Sequence, residues 1–245
     1  VTLVDRTNYH LFQPLLYQVA TAALAPSNVA FNLRNLFRRH SNVDIKMAKV
    51  VSVDLNTRTA VTVGGQKYQG DFLVLAAGSE ANFFGTPGAD KCTYPLYSLR
   101  DAEVLRSRVI AVLESADRDP SLIDKGALNF VIVGAGPTGV EMAGAFGDAA
   151  KVLEKEKRFK NLAADQAQIV LVDHGQSVLS AFSEKSRLYA TEALRSRGVQ
   201  LRLGISVQEV APDYVVLSDG SRIKTRTVIW AGGLKASALS ANLGL

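Results

Sequence analysis

A doubly wound α/β fold is what the 245-residue sequence predicts, on three observations. Short apolar runs alternate with stretches of helical spacing, a glycine-rich turn joins one run to its helix, and one strand–turn–strand pattern occurs twice. The apolar run 129–133 ends in Gly134-Ala-Gly136-Pro-Thr-Gly139. A helical pattern follows, with Val140, Ala143, Phe146 and Gly147 on one side, and continues through the charged stretch Lys151 to Lys160. The next run, 168–172, closes on Asp173. Helical spacing returns from Glu184 to Arg197, with Leu188, Thr191, Ala193 and Leu194 expected inward, and 199–203 reads as a third parallel strand. Strand, helix, strand, helix, strand over 129–203 is half of a nucleotide-binding domain of the doubly wound kind.

The region before it is organised differently. Val1 to Val4 is an apolar strand closing on Asp5, and an uncharged segment from Leu11 to Leu33 holds a helix candidate at Leu15 to Leu24. Val43 to Ile45 predicts a short strand, and Val50 to Val63 an antiparallel pair around a turn at Asn56-Thr57. Asp71 to Leu75 reads as a buried strand opening onto Ala76-Ala77-Gly78-Ser79. Leu99 to Ser115 has helical spacing on Leu99, Ala102, Leu105, Val109, Val112 and Leu113, and Asp117 to Gly126 would be the loop into the next domain. Positions 65–78 and 220–233 then repeat one pattern between end glycines: a hairpin signal, a polar bend, four apolar residues and a small-residue exit. The fold class expected is therefore α/β, with two Rossmann-like dinucleotide-binding domains of three-layer β-β-α character. The first is interrupted by the second and truncated. Residues 1–116 and 226–245 would form the partial first domain and 117–225 the second, with the strand 227–230 returning the chain to the first.

Composition narrows the function. Hydrophobic residues make up 47% and charged residues 21%, as in a globular chain. Lys and Arg number 28 against 23 Asp and Glu, a mild and scattered excess apart from Arg38-Arg39-His40, so nucleic acid is not an expected partner. Arg38, Arg39 and Lys46 read as a solvated basic surface. The single cysteine, Cys92, forbids a disulfide framework or a CxxC redox pair within these residues, and three dispersed histidines give no metal site. His10 and His174 read as solvated strand-end residues. The uncharged 11–33 segment carries Gln13, Pro14, Gln18, Pro26 and Asn28, too polar for a membrane span.

The chemistry concentrates on the glycine-rich turn. Gly134 permits the tight turn, Gly136 lets the backbone approach a pyrophosphate, and Gly139 lets helix and strand pack closely. The helix N-terminus offers free N–H groups and a positive end to phosphate. Asp173, at the end of the next strand, can take the hydroxyls of an adenosine ribose and would repel a 2′-phosphate, which favours NAD(H) over NADP(H). Its interval from Gly139 is long, because 151–165 lengthens the helix or adds a loop. Asp5 ends its strand in the same way with no glycine loop before it. A first strand and loop of roughly 25–35 residues is therefore expected upstream, on the spacing of an ordinary βαβ unit. For Glu141 two readings stand: a carboxylate favourable to a helix first turn, or a group that orients a nicotinamide or handles a proton.

Assembled, these residues resemble the type II NADH:quinone oxidoreductases, single-subunit NADH dehydrogenases of the two-dinucleotide-domain flavoprotein group. The segments that carry the resemblance are 4–20, with Phe12-x-Pro14-Leu15-Leu16-Tyr17-Gln18-Val19-Ala20 its most specific part, and 72–79, 133–144 and 229–239. The resemblance implies FAD and NAD as cofactors, with hydride passing from NADH to FAD and then two electrons to a quinone. It implies that Asp5 holds the FAD ribose, that Ala77, Gly78 and Ser79 lie near FAD, and that Pro14 and Gln18 belong to the segment beside the flavin ring and the quinone route. Gly134, Gly136 and Gly139 would hold the NADH pyrophosphate, Asp173 its ribose, Glu141 the nicotinamide region, and Ala231, Gly232 and Gly233 the crossing between domains. Asp173 stands where glutamate is more usual. The chain is expected to be a fragment lacking both ends, with membrane-anchoring helices in the missing C-terminal part. The whole protein is expected at the cytoplasmic face of a bacterial inner membrane, and a homodimer is compatible with it. A flavin reductase serving a ferredoxin-like protein and a non-catalytic NAD-binding sensor are the rival readings.

Overall fold

The computed structural model describes residues 1–156 and 159–243, and the chain divides into two compact units. One comprises 1–12, 27–80 and the chain from Leu234 onward; the other comprises 13–26 and 81–233.

The second unit is built on a five-stranded parallel sheet whose spatial order is Val199–Leu203, Gln168–Asp173, Asn129–Val133, Thr227–Trp230 and Tyr94–Pro95. Its central strands are buried on both faces, as parallel strands between two layers must be. Phe130 stacks on Phe146 of the helix Pro137–Glu156 at 4.8 Å between ring centres. The alternate residues Val131, Val133, Val170, Val172, Val228 and Trp230 pack in one core with Val207, Val210, Val215 and Leu217. Those last four belong to an antiparallel meander, Val207–Val210, Tyr214–Leu217 and Arg222–Lys224. Helices, parallel sheet and meander give the three layers the sequence predicts. Leu171 is fully buried in this sheet. Leu171→Ala is expected to lower stability by about 2–5 kcal/mol in urea denaturation, from lost transfer energy plus the cavity.

The helix Leu99–Arg118 starts at a reciprocal cap: Ser98 Oγ accepts from Asp101 N at 3.2 Å and Asp101 Oδ2 from Ser98 N at 2.7 Å. Against it and Pro137–Glu156 packs the short helix Leu16–Ala20, which buries Leu16, Val19 and Ala20. The predicted helix over 15–24 stops early because Ala22 turns left-handed (φ 63°) and the Gln18 carbonyl takes the N–H groups of both Ala23 and Leu24. These contacts put 13–26 in the second unit, and ladder pairing with Asn129–Val133 puts Thr227–Trp230 there too. The expected division at 116/117 and 225/226, and the expected return of 227–230 to the first domain, do not follow these compact units.

The first unit has a parallel pair, Thr2–Asp5 with Asp44–Met47, close to the strand predicted at 43–45. Tyr9–Leu11 pairs with Ala30–Asn32, and Ser79–Ala81 with Leu234–Ala236. Val50–Asp54, Thr59–Thr62 and Lys67–Gln69 form a second antiparallel meander. Asp54 Oδ1 fixes the expected turn by accepting from the N–H groups of Asn56 (2.9 Å) and Thr57 (3.2 Å). The repeated pattern thus marks two meanders of the same order, 50–69 and 207–224.

The two copies differ after the meander. Thr227–Trp230 is a strand, because Asn129–Val133 lies beside it. Asp71 to Leu75 is not a strand, and no sheet ends at Ala77. Among the described residues none offers this segment a ladder, so Phe72 and Val74 stand 92% and 87% exposed. An apolar run needs a partner before its backbone groups can leave water. Two helix expectations also need correction. Glu184–Arg195 buries Ala190 and Leu194, whereas Leu188 is exposed. The predicted helix through Lys160 is described to Glu156, residues 157 and 158 lie outside the described residues, and a 3-10 turn follows at Ala164–Gln166.

Candidate dinucleotide-binding site

At the C-terminal end of Asn129–Val133 the chain turns through Gly134 with φ 103°. A side chain there would meet the Ala231 carbonyl oxygen at 2.5 Å and Gly232 Cα at 2.7 Å, so this turn rests on the backbone leaving the adjacent strand. A Cβ on Gly139 would overlap the Gly134 carbonyl oxygen. Gly136 differs: a Cβ added there meets nothing within 4 Å. Two glycines of the turn are therefore required by the protein's own packing, and the third leaves an open approach. Pro137 opens the helix, where its missing N–H costs nothing. Unpaired N–H groups and the positive helix end are thereby presented beside Gly136.

Asp173 closes the turn from the neighbouring strand. Its Oδ2 accepts from Ala135 N and its Oδ1 from Gly175 N, both at 2.6 Å. The side chain is 17% exposed, and each oxygen keeps a further lone pair for a hydroxyl donor. His174 Nδ1 lies 3.7 Å from Asp173 Oδ1 on a side chain that is largely in water, as expected of a strand-end histidine. The sequence reading missed Ala135, Gly175 and Leu179 as parts of this site. Leu179 N donates to the Ala135 carbonyl at 2.8 Å, pinning the segment after Asp173 to the glycine turn. Asp-x-Gly at 173–175 is the local signal for the Asp173–Gly175 bond; none marks Leu179.

Glu141 is an exposed residue of the same helix, and partial burial of its carboxyl raises its pKa above the ordinary carboxylate value. The folded state therefore holds this proton more tightly than the unfolded state. The group's contribution is most favourable below the ordinary carboxylate pKa and diminishes as pH rises through the interval up to the raised value. Glu141→Gln removes that titration. Urea denaturation of both proteins at about pH 4 and about pH 7 should show the variant gaining relative stability at the higher pH.

Gly232 and Gly233 follow Trp230, whose indole N–H donates to the Asn82 carbonyl at 2.8 Å. Gly233 has φ 145°, and a Cβ there would stand 2.9 Å from the Phe84 ring. Pro14 lies exposed in the 3-10 turn Gln13–Leu15, and Gln18 is half-buried with its amide donating to the Tyr17 hydroxyl at 3.0 Å. In the first unit Asp5 ends a parallel strand as predicted. Its Oδ1 accepts from Thr7 N at 2.7 Å and Thr7 Oγ1 at 2.8 Å. Ala77 precedes Gly78, which turns at φ 69° and whose carbonyl accepts from Ser237 N at 3.3 Å, and Ser79 begins the next strand. The second unit thus brings together Gly134, Gly139, Asp173 and Gly232, while Asp5 and 77–79 belong to the first.

A glycine turn between a parallel strand and a helix, closed by a carboxylate on the next strand, defines a dinucleotide-binding α/β protein. The model of one family, described as pyridine nucleotide-disulphide oxidoreductase, matches residues 1–245, and the chain belongs to that family. It is similar to the type II NADH:quinone oxidoreductase Ndh of Mycobacterium tuberculosis, 35% identical over 99% of this chain and 54% of the relative. A type II NADH:quinone oxidoreductase of Haemophilus influenzae is 26% identical over 98% of this chain and 59% of its own length. The chain spans about half the length of the curated relatives it matches. Among solved structures, NDH2 from Plasmodium falciparum in complex with NADH superposes with a TM-score of 0.86 at 22% identity, over 98% of this chain and 51% of that one. At that identity the likeness is one of fold. No described helix is long and apolar enough to cross a membrane.

Proposed function

We propose that this chain is the nucleotide-binding part of a flavin-dependent NADH:quinone oxidoreductase. The observation that carries the reading is the open Cα of Gly136 beside a helix N-terminus, in a turn whose other two glycines are required by packing. That is the shape a pyrophosphate fits. Gly134 to Gly139 would hold the NADH pyrophosphate and Asp173 its adenosine ribose. Glu141 would act at the nicotinamide, its raised pKa suiting a carboxyl that orients an amide or holds a proton. FAD, when bound, accepts the hydride and passes the electrons on. For it, Asp5 is proposed as the ribose acceptor and Ala77, Gly78 and Ser79 as nearby residues, with Pro14 and Gln18 in the segment beside the flavin ring and the quinone route, and Gly232 and Gly233 at the crossing between domains. The residues fit these roles to different degrees. Asp5 stands at a parallel strand's C-terminal end with its Oδ1 bonded only locally to Thr7, and Gly78 supplies a left-handed turn.

Quinone as acceptor is supported by the likeness over 99% of the chain to the mycobacterial enzyme. One cysteine cannot form an intrachain redox pair, so disulfide chemistry within these residues is not part of the proposal. Membrane-peripheral association at the cytoplasmic face of a bacterial inner membrane, and a homodimer, are proposed for the whole protein.

The test is spectroscopic. The protein is incubated with FAD, NADH is added without oxygen, and a soluble quinone follows. Loss of the visible flavin absorbance and its recovery with quinone is the expected course for the whole protein, whereas the 245-residue chain by itself is expected to hold FAD poorly. Bleaching without recovery would point to a protein acceptor such as a ferredoxin. NADH binding with no bleaching even in the whole protein would leave a nucleotide-binding module and overturn the enzyme reading.

A further inference from the structure

A groove of about 350 Å³ lies on the meander side of the parallel sheet in the second unit, running along its outer strands from the N-terminal residues Asn129 and Gln168 to Arg202. Asn129 lies five residues before Gly134, roughly 16 Å away by strand rise, whereas Arg202 pairs with Val172 and is set apart from the glycine turn by two strands across the sheet. The groove is lined by the amides of Asn129, Gln168 and Gln200 and by the cations of Arg202, Arg222 and Lys224, over a floor of Val170 and Ile223.

The register explains why these polar groups sit there. Val170 pairs with Gln200 and Val172 with Arg202, so Gln200 and Arg202 point to the sheet face that the meander covers. Val131, Val133, Val170 and Val172 bury against that meander. Over the outer strand Val199–Leu203 the same face carries Gln and Arg instead of Val, and these two residues stay exposed. The strand's other residues, Val199, Leu201 and Leu203, alternate with them and are buried or half-buried.

Charge separates this groove from ordinary surface. No carboxylate lines it, and none of its three cations forms an ion pair among the described residues. Neutral groups hold two of them: the Arg222 guanidinium lies 3.9 Å from the centre of the Tyr214 ring, and Lys224 Nζ donates to the Asp124 carbonyl at 3.3 Å. Asp219 feels the Arg202 charge, but its Oδ1 is engaged by the N–H and hydroxyl of Ser221. Three like charges gathered on one concavity repel one another unless an anion joins them. Guanidinium forks match phosphate oxygens in pairs, and the amides of Gln168 and Gln200 add further donors, while that of Asn129 already donates to the Lys224 carbonyl at 2.7 Å. We propose that this groove is a second anion site, built for a compact soluble polyphosphate and separate from the dinucleotide turn. It goes beyond the proposed function and does not depend on it.

The test uses the ¹⁵N-labelled chain with saturating NAD⁺, so that the glycine turn is occupied, and inorganic tripolyphosphate as probe. Saturable amide shifts at 200–202 and 222–224 are expected. The double variant Arg202→Gln, Arg222→Gln should weaken the binding about tenfold or more, with unchanged circular dichroism and unchanged NAD⁺ affinity. Shifts confined to 134–139, or equal affinity in the double variant, would overturn the site. A phospholipid headgroup offers the same phosphate chemistry, so sedimentation with phosphatidylglycerol–phosphatidylcholine vesicles is the second arm. Vesicle binding without tripolyphosphate shifts would overturn the soluble ligand.

Discussion

Gly136→Ala is expected to lower NADH affinity ten- to a hundredfold, about 1.4–2.8 kcal/mol, with no fall in unfolding temperature. Gly139→Ala, three residues on, is expected to do the reverse in order of cause: it should damage the fold first and lose NADH as a consequence. The asymmetry follows from what an added methyl meets. At Gly136 it meets no protein atom, and the backbone there is outside the left-handed region, so alanine is conformationally acceptable. A small gain of stability, about 0.4–1 kcal/mol, is the ordinary result of such a change. What the methyl occupies is the open approach beside the helix N-terminus, where a pyrophosphate would lie. At Gly139 the methyl overlaps the Gly134 carbonyl oxygen, a backbone atom of a turn that itself rests on Ala231 and Gly232. Nothing flexible can yield, so helix and strand must separate, at a cost of about 1–3 kcal/mol or more. Thermal unfolding and fluorescence titration with NADH on the three proteins distinguish the outcomes. Unchanged NADH affinity in Gly136→Ala would remove the pyrophosphate from this turn.

The second unit was more legible from sequence than the first, and the reason is local. Gly134-x-Gly136-x-x-Gly139, the run before it and the helix after it all lie within one stretch, so strand, turn and helix could be read without knowing any distant contact. Asp173 was legible as a strand-end carboxylate, but its bond to Ala135 N spans 38 positions and has no sequence signal. Leu188 was misplaced because helical spacing gives two plausible faces when the sequence around it, Ser186-Arg-Leu-Tyr-Ala190, mixes apolar and polar residues. The packed face was chosen by Ala190 and Leu194. The segment 71–75 shows the same limit more sharply. Its pattern matches that of 226–230, yet strand formation depends on a neighbour that only the second copy has among the described residues. Pattern specifies what a segment can become, and pairing decides whether it does.

Asp173→Asn is expected to weaken both the turn and the cofactor, and the two losses can be separated. In the wild type each carboxylate oxygen receives a backbone N–H at 2.6 Å, one from the glycine turn and one from Gly175. Asparagine has a single acceptor oxygen, so its amide N–H₂ must face one of those N–H groups and leave it unsatisfied. For a largely buried pair of bonds this should cost about 1–3 kcal/mol of stability. If the same carboxylate also accepts from the adenosine ribose, its remaining lone pairs are what the 2′-hydroxyl meets, and its charge is what turns a 2′-phosphate away. Under conditions where both proteins are fully folded, Asp173→Asn should then bind NADH more weakly. It should also lose most of the wild type's discrimination between NADH and 2′-deoxy-NADH, and narrow the preference for NADH over NADPH. A purely structural Asp173 predicts a different result: lower stability and a uniform loss of affinity, with the penalty for the missing hydroxyl as large in the variant as in the wild type. The coupling between residue 173 and the 2′-hydroxyl, measured as a double-mutant cycle across protein and ligand, therefore decides whether this carboxylate touches the cofactor or only shapes the turn that does.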